Sequence, residues 1–235
     1  MRLLQCIKND FRLQLRSGFY TIYGVLTAIY VVIMLLLSEE IKNIAAPLVM
    51  FSDPSILGMF FIGGVILLEK NDNTIESLFV TPLTPSEYIL SKAVSLSFIS
   101  ISASVIVAIA AWGINFSPVI LIAGIFPTAV LFTLIGIAVA SYKETINSYM
   151  IEVMPYYVAV FFVPIFEYFD VFSSPLLWIF PTKGSLYLIA GAYKGITPLE
   201  LILSILTLSF WCVIAYLWAK KNFTKHIIKK TEAKK

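Results

Sequence analysis

TPSEYILSKAVSLSFISISASVIVAIAAW, residues 84–112, joins a helix start signal to enough apolar sequence to cross a bilayer. Thr84 can cap the helix, Pro85 takes its first position and Glu87 its third, which is the pattern of a capping box. From Pro85 to Trp112 there are 28 residues, about 42 Å of helix against a hydrocarbon core of roughly 30 Å. Such a helix projects beyond the bilayer or tilts within it. Ser91 with Ser95 and Ser100 with Ser104 are small-residue pairs four apart, which favour close helix packing.

Outward from this segment the same signal recurs. Counting it as a span over about 87–112, comparable apolar stretches run over about 18–37, 47–68, 117–140, 151–169 and 199–219. Each approximates the ~20 residues an α-helical span needs. Composition agrees: hydrophobic residues make up 59% of the 235 and charged residues 13%, and the mean hydropathy is +0.90. Soluble domains are about 45–50% apolar and about 25% charged, so lipid rather than a protein core must cover these helices. The expected fold is an all-α integral membrane protein, one transmembrane domain over residues 1–235 with six spans. The first span exceeds a signal-peptide core and has no small-residue cleavage site after Leu37, so it is read as a retained anchor. Cys6 precedes the first span and Cys212 lies in the last, which argues against a disulfide framework; with a single histidine, no metal site is expected.

Basic residues set the orientation. With the N-terminus inside, Arg2, Lys8, Arg12, Arg16, Lys70, Lys92, Lys143 and seven lysines from Lys220 to Lys235 are cytoplasmic, leaving Lys42, Lys183 and Lys194 outside among 17 in all. This asymmetry satisfies the positive-inside rule and puts both termini in the cytoplasm. The lysine-rich tail either anchors by that rule alone or also holds anionic membrane lipid. Before the first span, Leu3, Leu4, Ile7, Phe11 and Leu15 recur at helical spacing, with Arg2, Lys8, Asn9, Arg12 and Arg16 on other faces. The pattern fits an interfacial amphipathic helix, or simply a basic flank.

Inside the second span, Phe51-Ser52-Asp53-Pro54 predicts a break, with Asp53 capping a new helix that begins at Pro54. Asp53 is also a candidate substrate or gating group facing a wet cavity. The loop that follows, from Glu69 to Glu87, carries a second capping signature in Asn73 and Glu76, so a short helix over Thr74–Val80 is expected until Pro82 stops it. Ile75, Leu78 and Phe79 would share one face of it, suited to a groove in a soluble partner.

At these residues the chain resembles a known family. The run LLEKNDNTIESLFVTPLTPSEYILSK, residues 67–92, is similar to the segment between the second and third spans of type-2 ABC exporter permeases. Glu69, Thr74, Glu76, Leu78, Val80, Thr81, Pro82, Leu83 and Lys92 match the pattern in which a glutamate ends one span, a coupling helix follows and a lysine opens the next. Phe51-Ser52-Asp53-Pro54 with Gly58, Phe61, Ile62 and Gly63 looks like the small bacterial fluoroquinolone or multidrug export permeases, and the architecture agrees along the whole chain. The resemblance implies an inner-membrane permease subunit working by alternating access. A separate ABC ATPase would bind ATP and Mg, and a second permease copy, identical or related, would complete the pathway. Thr74, Ile75, Glu76, Leu78, Phe79, Val80 and Pro82 become the expected ATPase-coupling residues. A re-entrant extracellular element before the last span is also implied. The sequence allows it, since Pro175–Phe180 and Ser185–Ala192 are apolar but too short to cross and are separated by Pro181 and Gly184.

The fifth span is dense in aromatics, including Tyr156, Tyr157 and Phe161, with Pro155 and Pro164 able to bend it. These rings suit stacking and cation–π contact with a flat hydrophobic or cationic compound, and equally suit helix packing. With Asp53 and Glu152 they are the candidate substrate-pathway residues. No phosphate-binding G-x-x-x-x-G-K-[ST] loop, H-E-x-x-H or G-x-S-x-G occurs, so the chain is expected not to be an enzyme, and no nucleic-acid partner is implied. A secondary transporter or channel would show several mid-membrane ionisable residues or repeated halves, and neither is evident. A non-transporting membrane interaction protein would not need the proline-bounded loop helix.

Overall fold

The computed structural model describes residues 2–16, 18–72, 74–78, 83–169 and 174–228. Ten α-helices succeed one another among them: α1 Arg2–Arg16, α2 Phe19–Leu36, α3 Glu39–Ile56, α4 Ile62–Asn71, α5 Thr74–Leu78, α6 Pro85–Trp112, α7 Pro118–Ala140, α8 Ile146–Tyr168, α9 Pro181–Lys194 and α10 Pro198–Phe223. A π turn, Leu57–Phe61, joins α3 to α4; a 3₁₀ turn, Pro175–Ile179, precedes α9; and a second π turn, Thr224–Ile228, ends α10. No strand occurs among the described residues. Five helices are long and apolar enough to cross a membrane: α3 with α4, α6, α7, α8 and α10. The bent pair of α1 and α2 supplies a sixth candidate, its two limbs meeting at 72°. Gly18 sits at that corner with φ 75°, a backbone conformation that side chains with a Cβ rarely adopt.

The helix starts follow local chemistry. Thr84 Oγ1 accepts from the Glu87 amide at 3.3 Å while Glu87 Oε2 accepts from the Thr84 amide at 2.9 Å, so the capping box read from residues 84–87 forms. Thr197 and Glu200 repeat it at the start of α10. The second span departs from expectation. Helix α3 runs through Asp53 and Pro54 without a new start, and the irregularity falls later, at the π turn. Packing explains that placement. A Cβ on Gly58 would lie 2.8 Å from the Thr133 amide nitrogen, and one on Gly136 would lie 2.8 Å from the Met59 carbonyl oxygen, so α7 and the turn meet backbone to backbone. The Tyr149 hydroxyl donates to the Met59 carbonyl, satisfying a group that the widened turn leaves outside the regular ladder.

Helix α7 is the axis of the bundle, buried from Leu131 through Ser141, while α8 and α10 keep most of their surface outside the core. Helix α9 runs antiparallel to α7. The Ser117 amide donates to Ala192 O at 2.7 Å, a Cβ on Gly124 would touch Leu188 at 3.0 Å, and Thr128 and Ser185 share a hydrogen bond. Before α9, the 3₁₀ turn accepts from Trp211 Nε1 at the Ile179 carbonyl, 2.7 Å away. Trp211 lies about 20 Å along α10 from Pro198, so the turn sits near that helix's midpoint rather than at its end. The segment before the last span is thus a 3₁₀ turn followed by α9. Pro181 separates the turn from α9, as expected, whereas Gly184 does not. Pro181 opens α9, where its missing N–H costs nothing, and Gly184 lies inside the helix, where a Cβ would come within 2.9 Å of Ser204 Cα.

Another proline shapes the α8–α9 contact. Pro164 has no N–H for the Val160 carbonyl one turn earlier, and the Thr182 hydroxyl donates to that carbonyl instead. Lys183, read as lying on the extracellular side, is buried within the bundle, 4% exposed. Its Nζ is 2.6 Å from Glu167 Oε1 and lies over the Trp178 ring at 4.7 Å, so it holds α9 against α8. A lysine so short of water needs a carboxylate partner, and Glu167 supplies it.

Candidate functional site

Two sites emerge, one at the end of the bundle where α1, α4 and α6 converge, the other beside the π turn. At the first, Tyr88, Ser91, Lys92 and Ser95 recur at i, i+3, i+4 and i+7 and so share one face of α6. Glu69 in the last turn of α4 and Asp10 with Gln14 on α1 meet that face. Lys92 Nζ lies 2.8 Å from Asp10 Oδ1 and 2.5 Å from Glu69 Oε1. Tyr88 donates to Glu69 Oε2 at 2.5 Å, Ser91 to Asp10 Oδ2 at 2.7 Å, and Gln14 Nε2 to Ser95 Oγ at 2.9 Å. Every carboxylate oxygen therefore has a donor, as a buried ionic group requires.

This network changes the reading of α1. Leu4 and Leu15 are 70% and 60% exposed, whereas Asp10 and Gln14 are buried. Asp10 and Gln14 face α6 while Lys8, Asn9, Arg12 and Arg16 stay exposed, and of the apolar stripe Phe11 meets Phe98 of α6 at 5.7 Å whereas Leu4 and Leu15 turn outward, where lipid can cover them. Asp10 was not among the residues singled out from sequence, because a carboxylate in a basic amphipathic helix ordinarily faces water. Its spacing of four from Gln14 was the available signal, but the partner that gives the pair meaning is 82 positions away. Cys6, on the same helix, has its thiol pKa raised, by burial first and by the Asp10 carboxylate second.

The neighbouring residue, Lys70, reaches the end of α7. Its Nζ donates to the carbonyls of Ala140 at 2.7 Å, Ser141 at 2.8 Å and Lys143 at 2.9 Å, filling the role of a cation at a helix C-terminus. The last turn of α4 is thereby tied to α1, α6 and α7 together. Helix α5 follows at once. Of its expected docking residues, Ile75 is 2% exposed and turned into the chain's own core, which removes it from an outward face. Leu78 is half-buried against that core. Phe79, Val80 and Pro82 lie outside the described residues, as does Asn73, the expected cap; Thr74 opens the helix that contains Glu76.

The expected substrate-pathway residues separate into four places. Glu152 pairs with Lys143 at 3.2 Å and accepts from the Tyr142 hydroxyl at 3.4 Å, closing the 141–145 turn. Burial, and after it the Glu152 carboxylate, pushes the Tyr142 pKa up to about 12. Tyr156 faces α10, its ring 5.3 Å from Trp218. Tyr157 and Phe161 instead join Phe51 of α3 in a three-ring stack, with centroids 4.7 Å apart between Tyr157 and Phe161 and 4.9 Å between Phe161 and Phe51. Phe60 of the π turn meets Tyr157 edge-on at 5.2 Å. Asp53 lies within continuous α3 and so does not cap a helix; it is 5% exposed and its Oδ2 has no hydrogen-bond partner. Tyr23 and Tyr30 of α2 lie within electrostatic reach of it, and Tyr30 within reach of Tyr157 as well. Among the described residues no three His, Cys, Asp or Glu side chains converge as metal ligands.

Comparison with known proteins agrees with this architecture. The fluoroquinolones export permease protein family matches residues 1–231. Two curated relatives, each named a fluoroquinolones export permease protein, come from Mycobacterium tuberculosis strains CDC 1551 / Oshkosh and ATCC 25618 / H37Rv. Each is 26% identical over 196 residues, covering 83% of this chain and 83% of its own. With an all-helical bundle of five or six candidate spans and a match along nearly its whole length, the chain belongs to the fluoroquinolones export permease protein family.

Proposed function

We propose that this chain is the membrane-spanning subunit of an ATP-driven ABC exporter, carrying a hydrophobic or amphipathic small molecule outward through a bacterial cell membrane by alternating access. ATP and Mg are bound and the ATP is hydrolysed on a separate ATPase subunit, and two permease copies, identical or related, enclose the pathway. Both termini are cytoplasmic. The family name of the relatives supports the export of a drug-like compound, and the positive-inside asymmetry supports the orientation.

The observation that carries the coupling is the anchoring of the α4 end. A force applied to α5 reaches Glu69 and Lys70 within one turn of α4 and passes through charge-assisted hydrogen bonds to α1, α6 and α7. Closure of an ATPase pair beneath the membrane would move these elements together, because buried networks switch between packed arrangements rather than deforming gradually. Ile75 serves this arrangement as the inward anchor of α5. Leu78 and Phe79 are assigned the contact with the ATPase, and Thr74, Glu76, Val80 and Pro82 remain the other coupling residues. Of the candidate pathway residues, Asp53, Tyr157 and Phe161 line the route, while Glu152 and Tyr156 support the surrounding helices.

The test is co-purification of the ATPase in detergent together with transport. Leu78→Asp and Phe79→Asp place an unpaired charge in the contact and are expected to lose the ATPase and export activity, with Ser77→Asp as the control on a different face. Retention of the ATPase and normal export in both variants would remove α5 as the coupling surface.

A further inference from the structure

We propose that α1 is a docking surface for anionic phospholipid. Lys8, Arg12 and Arg16 bind headgroup phosphates of the cytoplasmic leaflet, and Leu4 and Leu15 enter the acyl boundary beside them. The inference rests on the placement of α1 in the bundle and not on the exporter reading.

Lys8, Arg12 and Arg16 recur every four residues, so they form one stripe along the helix, and all three are exposed. Leu4 precedes Lys8 by four residues and Leu15 follows Arg12 by three, which sets an exposed apolar edge alongside the basic one. Asp10 is the one acid in α1, and it is buried against Lys92 at 2.8 Å, so no carboxylate offsets the basic stripe. The rotation of the helix is fixed as well. Asp10 accepts from Ser91 and Lys92, Gln14 donates to Ser95, and Phe11 lies 5.7 Å from Phe98. These contacts hold the basic and apolar edges outward together.

Two further observations bring that surface to the membrane boundary. Helix α1 meets α2 at 72°, with Gly18 at φ 75° making the corner, so α1 runs near the bilayer plane where α2 crosses. Lys92, its partner on α6, lies about 10 Å from the start of that helix, within the length by which α6 exceeds the hydrocarbon core. The pairing of edges selects the ligand. Free phosphate or an acidic soluble protein would engage the cations and leave both leucines in water, whereas a leaflet satisfies the two edges at once. Each lysine or arginine at such a surface favours an anionic headgroup over a neutral one by about fivefold.

The test reads which lipid gathers at α1. The full chain, with Cys6→Ser and Cys212→Ser, carries a bimane fluorophore at Gln5→Cys, an exposed position three residues before Lys8. It is placed in nanodiscs of equal parts phosphatidylcholine and phosphatidylglycerol. A trace of one lipid or the other bears a doxyl quencher high on its acyl chain, and the ratio of quenching gives the preference. With the basic stripe intact, phosphatidylglycerol is expected to be preferred by roughly tenfold at low salt, less as salt is raised. Lys8→Gln, Arg12→Gln and Arg16→Gln together should remove the preference. Lys221→Gln with Lys225→Gln, two exposed lysines beyond the last span, should leave it unchanged. Leu4→Ser with Leu15→Ser should lessen quenching by both lipids, and inorganic phosphate at matched ionic strength should displace neither. Gel filtration and a thermal melt establish that each variant is folded, and Arg12→Gln alone, with a fall of up to about fivefold, serves if the triple variant is not. Equal quenching by the two lipids, an unchanged preference in the triple variant, its loss in the tail variant, or undiminished quenching in the leucine variant would overturn the assignment. Displacement by phosphate would overturn it too, leaving the stripe a site for a soluble anion.

Discussion

Replacing Lys92 with methionine removes the one cation that Asp10 and Glu69 share. Methionine fills most of the same volume, so the change is chiefly electrostatic. Two carboxylates then face each other in a site where the lysine side chain was 4% exposed. Tyr88 and Ser91 still donate one hydrogen bond to each acid, but among the described residues neither acid has a salt bridge to another cation. Breaking a buried ion pair by removing one partner costs about 3–5 kcal/mol. For a chain of this size that corresponds to a fall of roughly 6–20 °C in Tm. The expected failure is local first, the release of α1 from α6, and the native Cys6 on α1 reports it. In a Cys212→Ser background, Cys6 alkylation should accelerate in Lys92→Met. The sign is informative. Lys92 lowers the Cys6 pKa, while burial, Asp10 and Glu87 raise it, so loss of Lys92 in an intact fold would leave less thiolate and slow the reaction. Acceleration therefore means exposure rather than a change in acidity. Combining Lys92→Met with Asp10→Asn and Glu69→Gln neutralises the whole group and should recover most of the loss. A Lys92→Met protein with wild-type melting and unchanged Cys6 labelling would refute the clamp.

The remaining expectations concern topology and α9. Cysteines placed at Lys42 and Lys194 should react with an impermeant maleimide from outside the cell, whereas one at Lys183 should be shielded by α8 and react only after unfolding; strong labelling at position 183 in intact cells would contradict the Glu167 pairing. Thr182→Val keeps the shape but leaves the Val160 carbonyl, already deprived of a donor by Pro164, without a partner. A loss of about 1–3 kcal/mol is expected in thermal or denaturant unfolding, with Thr182→Ser close to wild type. Equal stability of the two variants would mean that the carbonyl finds another donor.

Much of the fold was legible because it is encoded locally. A run of ~20 apolar residues reports a span wherever it occurs, and the stretch read over 117–140 is the helix Pro118–Ala140 almost to the residue. The Thr84–Glu87 capping box is equally local, since both partners lie within one turn. The Glu69-to-Lys92 pattern identified the family without any knowledge of what those two residues do. Tertiary structure decided what local rules cannot. It paired Lys92 with Asp10 across 82 positions and Lys183 with Glu167 across 16, turning lysines that charge counting places in water into buried ties. It directed Ile75 inward although its spacing suited a docking face equally well. It carried α3 through Pro54 and moved the irregularity to residues 57–61, because Gly58, Gly136 and Tyr149 meet there and the close approach of α7, not the proline, determines where the backbone widens. Hydropathy and capping are properties of neighbouring residues along the chain. Which face of a helix a charge occupies is a property of what packs against it.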